Sequence, residues 1–235
     1  MIESVNNDKI KNYAKLNDKK YRNNTGLFLV EGEHLVEEAI KKNIIVEIFS
    51  LDKRNNSTQV NEAVMKKLSN LSSVPKVLAV CKKINNTNIK GNILMLDCIQ
   101  DPGNLGTIIR SAVAFGIDTI VASKDTVDLY NIKVLRATEG MIFNINYIID
   151  DLENVLNKLD NYTILGTNVV NGVTPDKIKI TNNYCLIIGN EGKGMNNKLL
   201  SYIDKNIYIP MNKKCESLNA GVATSILLYE LNKDK

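Results

Sequence analysis

Short apolar runs along the first third of the chain alternate with a helical pattern of apolar residues. The runs "GLFLVEG" and "IIVEIFSL" predict strands on either side of a helix at "EHLVEEAIKK". Further along, "NEAVMKKLSNL" predicts a helix over 61–71, and "PKVLAVCKK" predicts another strand. Alternation of this kind favours a mostly parallel sheet covered by helices.

The same alternation restarts after a polar stretch that ends in glycine, "INNTNIKGN". The predicted strands that follow are "ILMLDC", "DTIVAS", "YTILGT", "YCLIIG" and "NIYIPM". The predicted helices are "LGTIIRSAVAFG", "DLENVLNKLD" and "SLNAGVATSILLYELNK". We therefore predict an α/β protein with one domain at 1–85, a linker at 86–91 and a second domain at 92–235.

Composition narrows the class of protein. With 44% hydrophobic residues in 235, the chain can bury a core without disulfides or metals. The 4 cysteines form no C-x-x-C pair, which indicates reduced thiols rather than a disulfide framework or a zinc site, and we expect no metal. The polar start and the lack of a long apolar run predict a cytoplasmic protein without a membrane span.

The net charge of +4 is concentrated toward the start of the chain. Residues 1–90 carry 16 Lys and Arg against 10 Asp and Glu, and the densest stretch is "KIKNYAKLNDKKYR". Basic residues interleaved with tyrosines suit an RNA backbone and unstacked bases, so Lys19, Lys20 and Arg22 are candidate RNA contacts. Taken alone, the stretch is more typical of a solvated lysine-rich helix.

The segment "DPGNLGTIIRSA" at 101–112 turns from a predicted strand into a helix with one apolar stripe. Arg110 lies off that stripe and leans over the residue four positions earlier, which is Gly106. It can therefore extend toward Asn104 and the exposed N–H groups of the turn, where a phosphate or sugar oxygen would bind. A surface arginine and a turn asparagine explain the segment equally well.

Two further junctions between a strand and a turn are rich in polar side chains. "CLIIGNEGKGM" carries Glu191 in a turn of glycines, and "IYIPMNKKCESLNAGVATSILLYE" places Ser217 and Asn219 at a predicted helix start. Each junction alone fits a hairpin, a helix cap or close helix packing. Together they favour a ligand site, because open α/β sheets bind ligands beyond the carboxyl ends of their strands.

These segments carry a family resemblance. "NLGTIIR", "IIGNEGKGM" and "IPMNKKCESLNAGVATSILLYE" resemble the three motifs of the SpoU/TrmH branch of the SPOUT RNA methyltransferases, over about residues 92–235. "NNDKIKNYAKLNDKKYRNNTGLFLVEGEHLVEEAI" resembles the substrate-binding domain of that family, which has the small α/β fold of certain RNA-binding ribosomal proteins. The resemblance implies a deep trefoil knot, which general rules for chain connections argue against.

The resemblance also implies a homodimer that transfers a methyl group from S-adenosylmethionine to a ribose 2′-OH, and the expected substrate is 23S ribosomal RNA. A transfer-RNA methyltransferase and an RNA-binding module without catalysis are the alternatives. Arg136, in "VDLYNIKVLRATEG", joins the three basic residues above as an implied RNA contact. The implied cofactor contacts are Thr167, Asn168, Gly189, Glu191, Ile209, Met211, Leu218 and Ala220.

The residues limit the chemistry independently. His34 is the only histidine and reads as a helix-face residue, and the guanidinium of Arg110 is normally always protonated. We therefore expect Arg110 and Asn104 to position the hydroxyl and phosphate and to stabilise developing negative charge, while Glu191, Ser217 and Asn219 orient the ribose or the arginine. A nicotinamide-dependent oxidoreductase would need G-x-G-x-x-G, and "DPGNLG" is not the cofactor loop of a Rossmann-type methyltransferase.

Overall fold

The structure of the protein, a computed structural model, describes residues 1–70, 73–168 and 172–233. Leu71, the last residue of the helix predicted over 61–71, lies outside the described residues. The chain divides into two units: unit 1 is Met1–Asn85 with Asp128–Phe143, and unit 2 is Asn86–Val127 with Asn144–Lys235. Within the described ranges, no helix is both long enough and apolar enough to cross a membrane.

The helices and strands alternate along most of the chain. The α-helices are α1 Asp8–Ala14, α2 Lys19–Thr25, α3 Glu33–Lys41, α4 Glu62–Leu68, α5 Pro102–Ala114, α6 Ile132–Ala137, α7 Leu152–Leu156 and α8 Ala220–Asn232. The strands are β1 Leu27–Glu31, β2 Ile45–Ser50, β3 Thr58–Gln59, β4 Val77–Lys82, β5 Ile93–Leu96, β6 Thr119–Ala122, β7 Asn146–Ile149, β8 Thr163–Thr167, β9 Tyr184–Ile188 and β10 Lys205–Ile207.

Unit 1 is built on a sheet of four strands in the order β1-β4-β2-β3. Strand β4 is antiparallel to both β1 and β2, and only β2 and β3 pair in parallel. The expectation of a mostly parallel sheet is therefore wrong for this unit. The helix α3 does connect two strands that run in the same direction, but β4 inserts between them from later in the chain.

The segment Asp128–Phe143 belongs to unit 1 although unit 2 precedes and follows it in sequence. Arg22 anchors it, since its Nε and Nη2 both donate to Asp128 Oδ2, at 3.1 and 2.6 Å. Tyr130 packs its ring 4.5 Å from that of Phe28, and its hydroxyl bonds the backbone of Ile84. Burial raises the pKa of Tyr130 to about 12, so the phenol stays neutral and keeps its proton for this bond.

Unit 2 contains a sheet of six strands in the order β10-β8-β9-β5-β6-β7, and all of its pairs are parallel. All residues of β5, β6 and β9 are buried, which is why these strands read as continuous apolar runs. The chain extends the sheet first from β5 to β6 and β7, and then on the other side through β8, β9 and β10. The direction therefore reverses beside β5, where the carboxyl ends of β5 and β9 lie next to each other.

Helices α5 and α8 pack against each other in unit 2. Gly221 permits this close approach, because a Cβ there would lie 3.0 Å from Thr107. The hydroxyls of Ser111 and Ser225 are 2.6 Å apart across the same contact. The packing holds the amino ends of both helices beside the loops that follow β5 and β9.

Candidate active site

The amino end of α5 presents Asn104 to the site. Asp101 caps the helix, and its Oδ1 accepts a hydrogen bond of 2.7 Å from the backbone N–H of Asn104. Pro102 occupies the first turn, where its missing N–H costs nothing. The helix thus starts at Pro102, earlier than the predicted Leu105, and Asn104 lies within its first turn with only 8% of its surface exposed.

Three side chains from distant segments form one hydrogen-bonded chain, which we call the amide bridge. Asn104 Nδ2 donates to Glu191 Oε1 at 2.9 Å, and Asn104 Oδ1 accepts from Asn219 Nδ2 at 2.7 Å. Asn219 Oδ1 in turn caps α8 by accepting from the N–H groups of Gly221 and Val222. The amide bridge therefore links the loop after β9 to the amino ends of both packed helices.

The glycine-rich turn that carries Glu191 is fixed by its own backbone. Asn190 and Gly194 exchange two backbone hydrogen bonds of 3.0 Å, and the side chain of Asn190 donates to Cys98 O at 2.8 Å. Gly189 has no room for a side chain, because a Cβ would lie 2.5 Å from the backbone nitrogen of Met195. The turn therefore holds Glu191 over the carboxyl end of the sheet.

A cavity of about 340 Å³ opens beside the amide bridge in unit 2. All eight residues predicted to contact the cofactor line it, as does Ser217. The cavity walls also include Asn190, Met195, Tyr208 and Glu216, which sequence reasoning missed. Of these, Glu216 could have been identified, because it directly precedes Ser217 in the third junction.

Two of the five predicted catalytic residues, Arg110 and Ser217, are not part of the amide bridge. Arg110 is exposed on α5, roughly 9 Å along the helix axis from Asn104. Within the described part of the chain it makes no hydrogen bond or ion pair, so its side chain is available to an external ligand. Ser217 is exposed in the loop before α8 and lines the cavity.

The loop after β5 adds two further groups that the sequence reading did not identify. Asp97 is 8% exposed, and its Oδ2 accepts from the N–H of Asn196 at 2.7 Å, which ties the loop after β5 to the loop after β9. Cys98 adopts a left-handed conformation with φ of 60°. Burial, followed by the charges of Asp125 and Asp97, raises the pKa of its thiol, so Cys98 is no ready nucleophile at neutral pH.

All four cysteines are free thiols, and burial raises the pKa of Cys81 to about 12. Among the residues that the structure describes, no group of three His, Cys, Asp or Glu side chains is arranged to hold a metal ion.

The predicted RNA contacts differ in their surroundings. Lys19 and Lys20 are exposed on α2, and Arg136 is exposed on α6. Arg22 is only 6% exposed, and besides its ion pair with Asp128 its Nη1 donates to two backbone carbonyls. Arg22 therefore holds unit 1 together and is poorly placed to contact RNA.

Comparison with known proteins identifies the families that the two parts of the chain match. Residues 91–229 match the SpoU rRNA Methylase family, and residues 7–79 match the MRM3-like substrate binding domain. The 23S rRNA (guanosine(2553)-2'-O)-methyltransferase RlmP of Bacillus subtilis is 36% identical over 98% of this chain and 98% of its own length.

Solved structures agree over the whole length. The crystal structure of an rRNA methyltransferase from Sinorhizobium meliloti is 26% identical, with a TM-score of 0.90 over 99% of this chain and 97% of that one. The AdoMet-bound rRNA methyltransferase from the same organism is 25% identical, with a TM-score of 0.89 over the same shares. Since the family match covers more than half of the chain and includes every residue of the amide bridge, this protein belongs to the SpoU rRNA methylase family.

Proposed function

We propose that this protein transfers a methyl group from S-adenosylmethionine to a ribose 2′-OH of 23S ribosomal RNA. The observation that carries the proposal is the amide bridge beside the lined cavity, because it joins all three motif segments at the carboxyl edge of a parallel sheet. RlmP of Bacillus subtilis, similar over its full length, is named for this reaction at guanosine 2553, and we infer the corresponding guanosine as the target here.

The cavity suits the cofactor in shape and charge. Its volume of about 340 Å³ lies within the range of small-ligand pockets, and apolar side chains such as Ile188 and Leu227 form much of its wall. The carboxylates of Glu191 and Glu216 line it and would attract a cation. S-adenosylmethionine supplies an electrophilic methyl group on a positively charged sulfonium, so the negative lining matches the group to be held.

We propose that the acceptor hydroxyl binds at Arg110 and Ser217, which are both exposed. The guanidinium carries five donors and is always protonated, so we assign Arg110 to bind phosphate and to stabilise charge developing on the ribose oxygen. The amide bridge fixes Glu191 and Asn219 relative to α5, the helix that carries Arg110. We therefore assign Asn104 to position these two side chains, because it bonds both of them and is only 8% exposed.

RNA binding would depend on both units. Lys19, Lys20 and Arg136 are the exposed cations of unit 1 that we retain from the sequence prediction, and we leave out the buried Arg22. A ribosomal RNA substrate implies a cytoplasmic location. The division into domains at 1–85 and 92–235 with a linker at 86–91 stays a prediction from the sequence pattern, and the deep trefoil knot stays a prediction from the family resemblance.

We further propose a homodimer that buries the outer face of α8. Val222, Ile226 and Tyr229 are 45%, 37% and 51% exposed and lie on one face of that helix. Phe115 extends the apolar surface, with its ring 5.8 Å from that of Tyr229. Exposed apolar patches mark protein interfaces, and most soluble oligomers are symmetric assemblies of one chain. We therefore propose that a second copy of this chain covers the patch.

Mapping of 2′-O-methyl groups in total RNA, with and without the gene, tests the proposal directly. We expect one site in 23S ribosomal RNA to lose its methyl group and to regain it when the wild-type gene returns. Loss of methylation in a transfer RNA instead would favour the transfer-RNA alternative. An RNA-binding module without catalysis would change no methylation and would fail to bind S-adenosylhomocysteine.

A further inference from the structure

Unit 1 contains a cavity of its own, of about 400 Å³. One side is formed by residues between 16 and 29 together with Asn70, and the other by residues between 130 and 136, most of which lie on α6. Its apolar wall comes from Leu16, Leu29 and Ile132, together with the ring of Tyr130. The volume falls within the range of pockets that bind small ligands.

Two positively charged side chains line this cavity. Lys133 and Arg136 both line it, are exposed, and lie three residues apart on α6, which places them on neighbouring positions of one helix face. Among the described residues, neither side chain makes an ion pair or a hydrogen bond. The third cation of the wall, Arg22, is already neutralised by Asp128. Lys133 is therefore available to an anion, and so is Arg136, whose charge also acts on the nearby carboxylate of Glu31.

Amide groups supply both donors and acceptors inside the same cavity. Asn17 Nδ2 donates to Leu68 O, which leaves its Oδ1 as an acceptor, and Asn131 Oδ1 accepts from the N–H of Lys133, which leaves its Nδ2 as a donor. The side chain of Asn70 also lines the cavity and is exposed. Asparagine side chains bond the edges of nucleobases, and an apolar wall with an aromatic ring suits the faces of a base.

The walls of the cavity are held before any ligand binds. The buried ion pair of Arg22 with Asp128, the ring contact of Tyr130 with Phe28 and the bonds of its hydroxyl to Ile84 fix the segment 128–143 in place. A preformed cavity loses little conformational entropy when it binds, so it can discriminate between ligands.

We propose that this cavity binds one unpaired nucleotide of the substrate RNA, with its phosphate at Lys133 and Arg136 and its base among the three asparagines. The inference rests on the proposed function for the identity of the ligand as RNA. It adds a recognition site outside the three motifs that selects unpaired RNA, because a base that is stacked and paired in a helix does not present its face and its pairing edge to the cavity wall.

The test uses the full-length protein and 23S ribosomal RNA from cells that lack the gene. The cation variant is Lys133→Ala with Arg136→Ala, and the cavity variants are Asn70→Ala and Ile132→Trp. The matched control is Lys66→Ala with Lys67→Ala, which removes two exposed cations from α4 of the same unit. For each protein, the RNA dissociation constant, KM, kcat, the affinity for S-adenosylhomocysteine and the melting temperature are measured.

We expect each cavity variant to raise the RNA dissociation constant and KM by about tenfold, which is typical of losing one base contact. The cation variant should do the same, whereas kcat and the affinity for S-adenosylhomocysteine should not change. Wild-type RNA affinity in Asn70→Ala and Ile132→Trp, with a loss only in the cation variant, would reduce the site to a surface phosphate contact and overturn the proposal. An equal loss in the control pair would overturn it as well.

Two further arms separate the possible sources of the nucleotide. Free nucleoside 5′-monophosphates at millimolar concentration should compete only weakly with the RNA, and a fully paired RNA duplex should bind the cavity variants and the wild type equally. If a free nucleotide binds tightly to the wild type and this binding is lost in Asn70→Ala, the cavity is a site for a small ligand rather than for RNA, and the inference is refuted. If no RNA is methylated at all, the proposed function fails, while the RNA dissociation constants still decide the fate of the cavity.

Discussion

Replacing Asn104 by alanine tests whether the amide bridge positions the catalytic groups. The substitution removes the bonds of 2.9 Å to Glu191 and 2.7 Å to Asn219. A hydrogen bond to a charged group contributes about 1.5 to 3 kcal/mol, and a bond between neutral groups about 0.5 to 1.5 kcal/mol. Because Glu191 is exposed, its freed carboxylate regains water, and we expect the free energy of unfolding to fall by only about 1 to 3 kcal/mol.

The effect on catalysis should be larger than the effect on binding. We assume that orienting Glu191 stabilises the transition state by the free energy of one hydrogen bond to a charged group. Losing that bond then lowers kcat by roughly 10- to 100-fold. Asn104 does not line the cofactor cavity, so the affinity for S-adenosylhomocysteine should stay close to that of the wild type. Single-turnover methyl transfer to 23S ribosomal RNA, with calorimetric titration of S-adenosylhomocysteine, separates the two quantities.

Asn232 provides a matched control within unit 2. Its Nδ2 also makes two bonds, at 2.7 Å to the hydroxyl of Tyr184 and at 2.8 Å to Leu228 O, at the far end of α8 from the site. Asn232→Ala should lower stability to a similar extent and leave turnover intact. If Asn104→Ala keeps wild-type turnover while both variants lose the same stability, the amide bridge is a structural contact only and our assignment fails.

Three further predictions concern the acceptor site, the assembly and the RNA surface. Arg110→Ala and Arg110→Lys should both abolish transfer at unchanged cofactor affinity, since a lysine cannot replace the planar fork; normal turnover in either variant rules out the role. Ile226→Asp should give a monomer by light scattering, whereas Val46→Asp, at a similarly exposed position of unit 1, should stay dimeric, and a dimer in both cases excludes the α8 face. Lys19→Ala with Lys20→Ala should lower the slope of log affinity against log salt by about 1 to 2, and an unchanged slope would assign both lysines to a merely solvated face.

The order of the elements could be predicted wherever periodicity and burial coincide. Seven of the eight predicted strands contain an observed strand and the eighth overlaps β10; in β5, β6 and β9 every residue is buried, so the apolar runs are continuous. The prediction over "NIYIPM" extended too far, because β10 ends at Ile207 and the following residues line the cofactor cavity. Strands β3 and β7 and helix α6 were missed, and all three are short enough to give little periodic signal.

Pairing between distant segments could not be predicted from the pattern. The insertion of β4 between β1 and β2 depends on which strand edges meet, and alternation along the sequence carries no information about that. The pattern also could not assign the segment 128–143 to its unit, because its apolar residues look like part of the second domain but are buried in unit 1. A fragment that starts at residue 86 would therefore expose Tyr130 and Leu135, and full-length variants are the sounder test of RNA binding.

The candidate site shows the same division between local and distant information. Local rules placed Asn219 at a helix start and Glu191 in a glycine turn, and both positions follow from capping and backbone freedom. They did not predict that Asn104 would use both ends of its amide to join them, because that depends on the packing of α5 against α8 and on the adjacency of β5 and β9. Asn104 Nδ2 has a second N–H, but the side chain is only 8% exposed and already bonds two partners, so we assign it to position Glu191 and Asn219. Arg110 is exposed on the same helix, and we therefore expect it to be the side chain of α5 that binds the substrate.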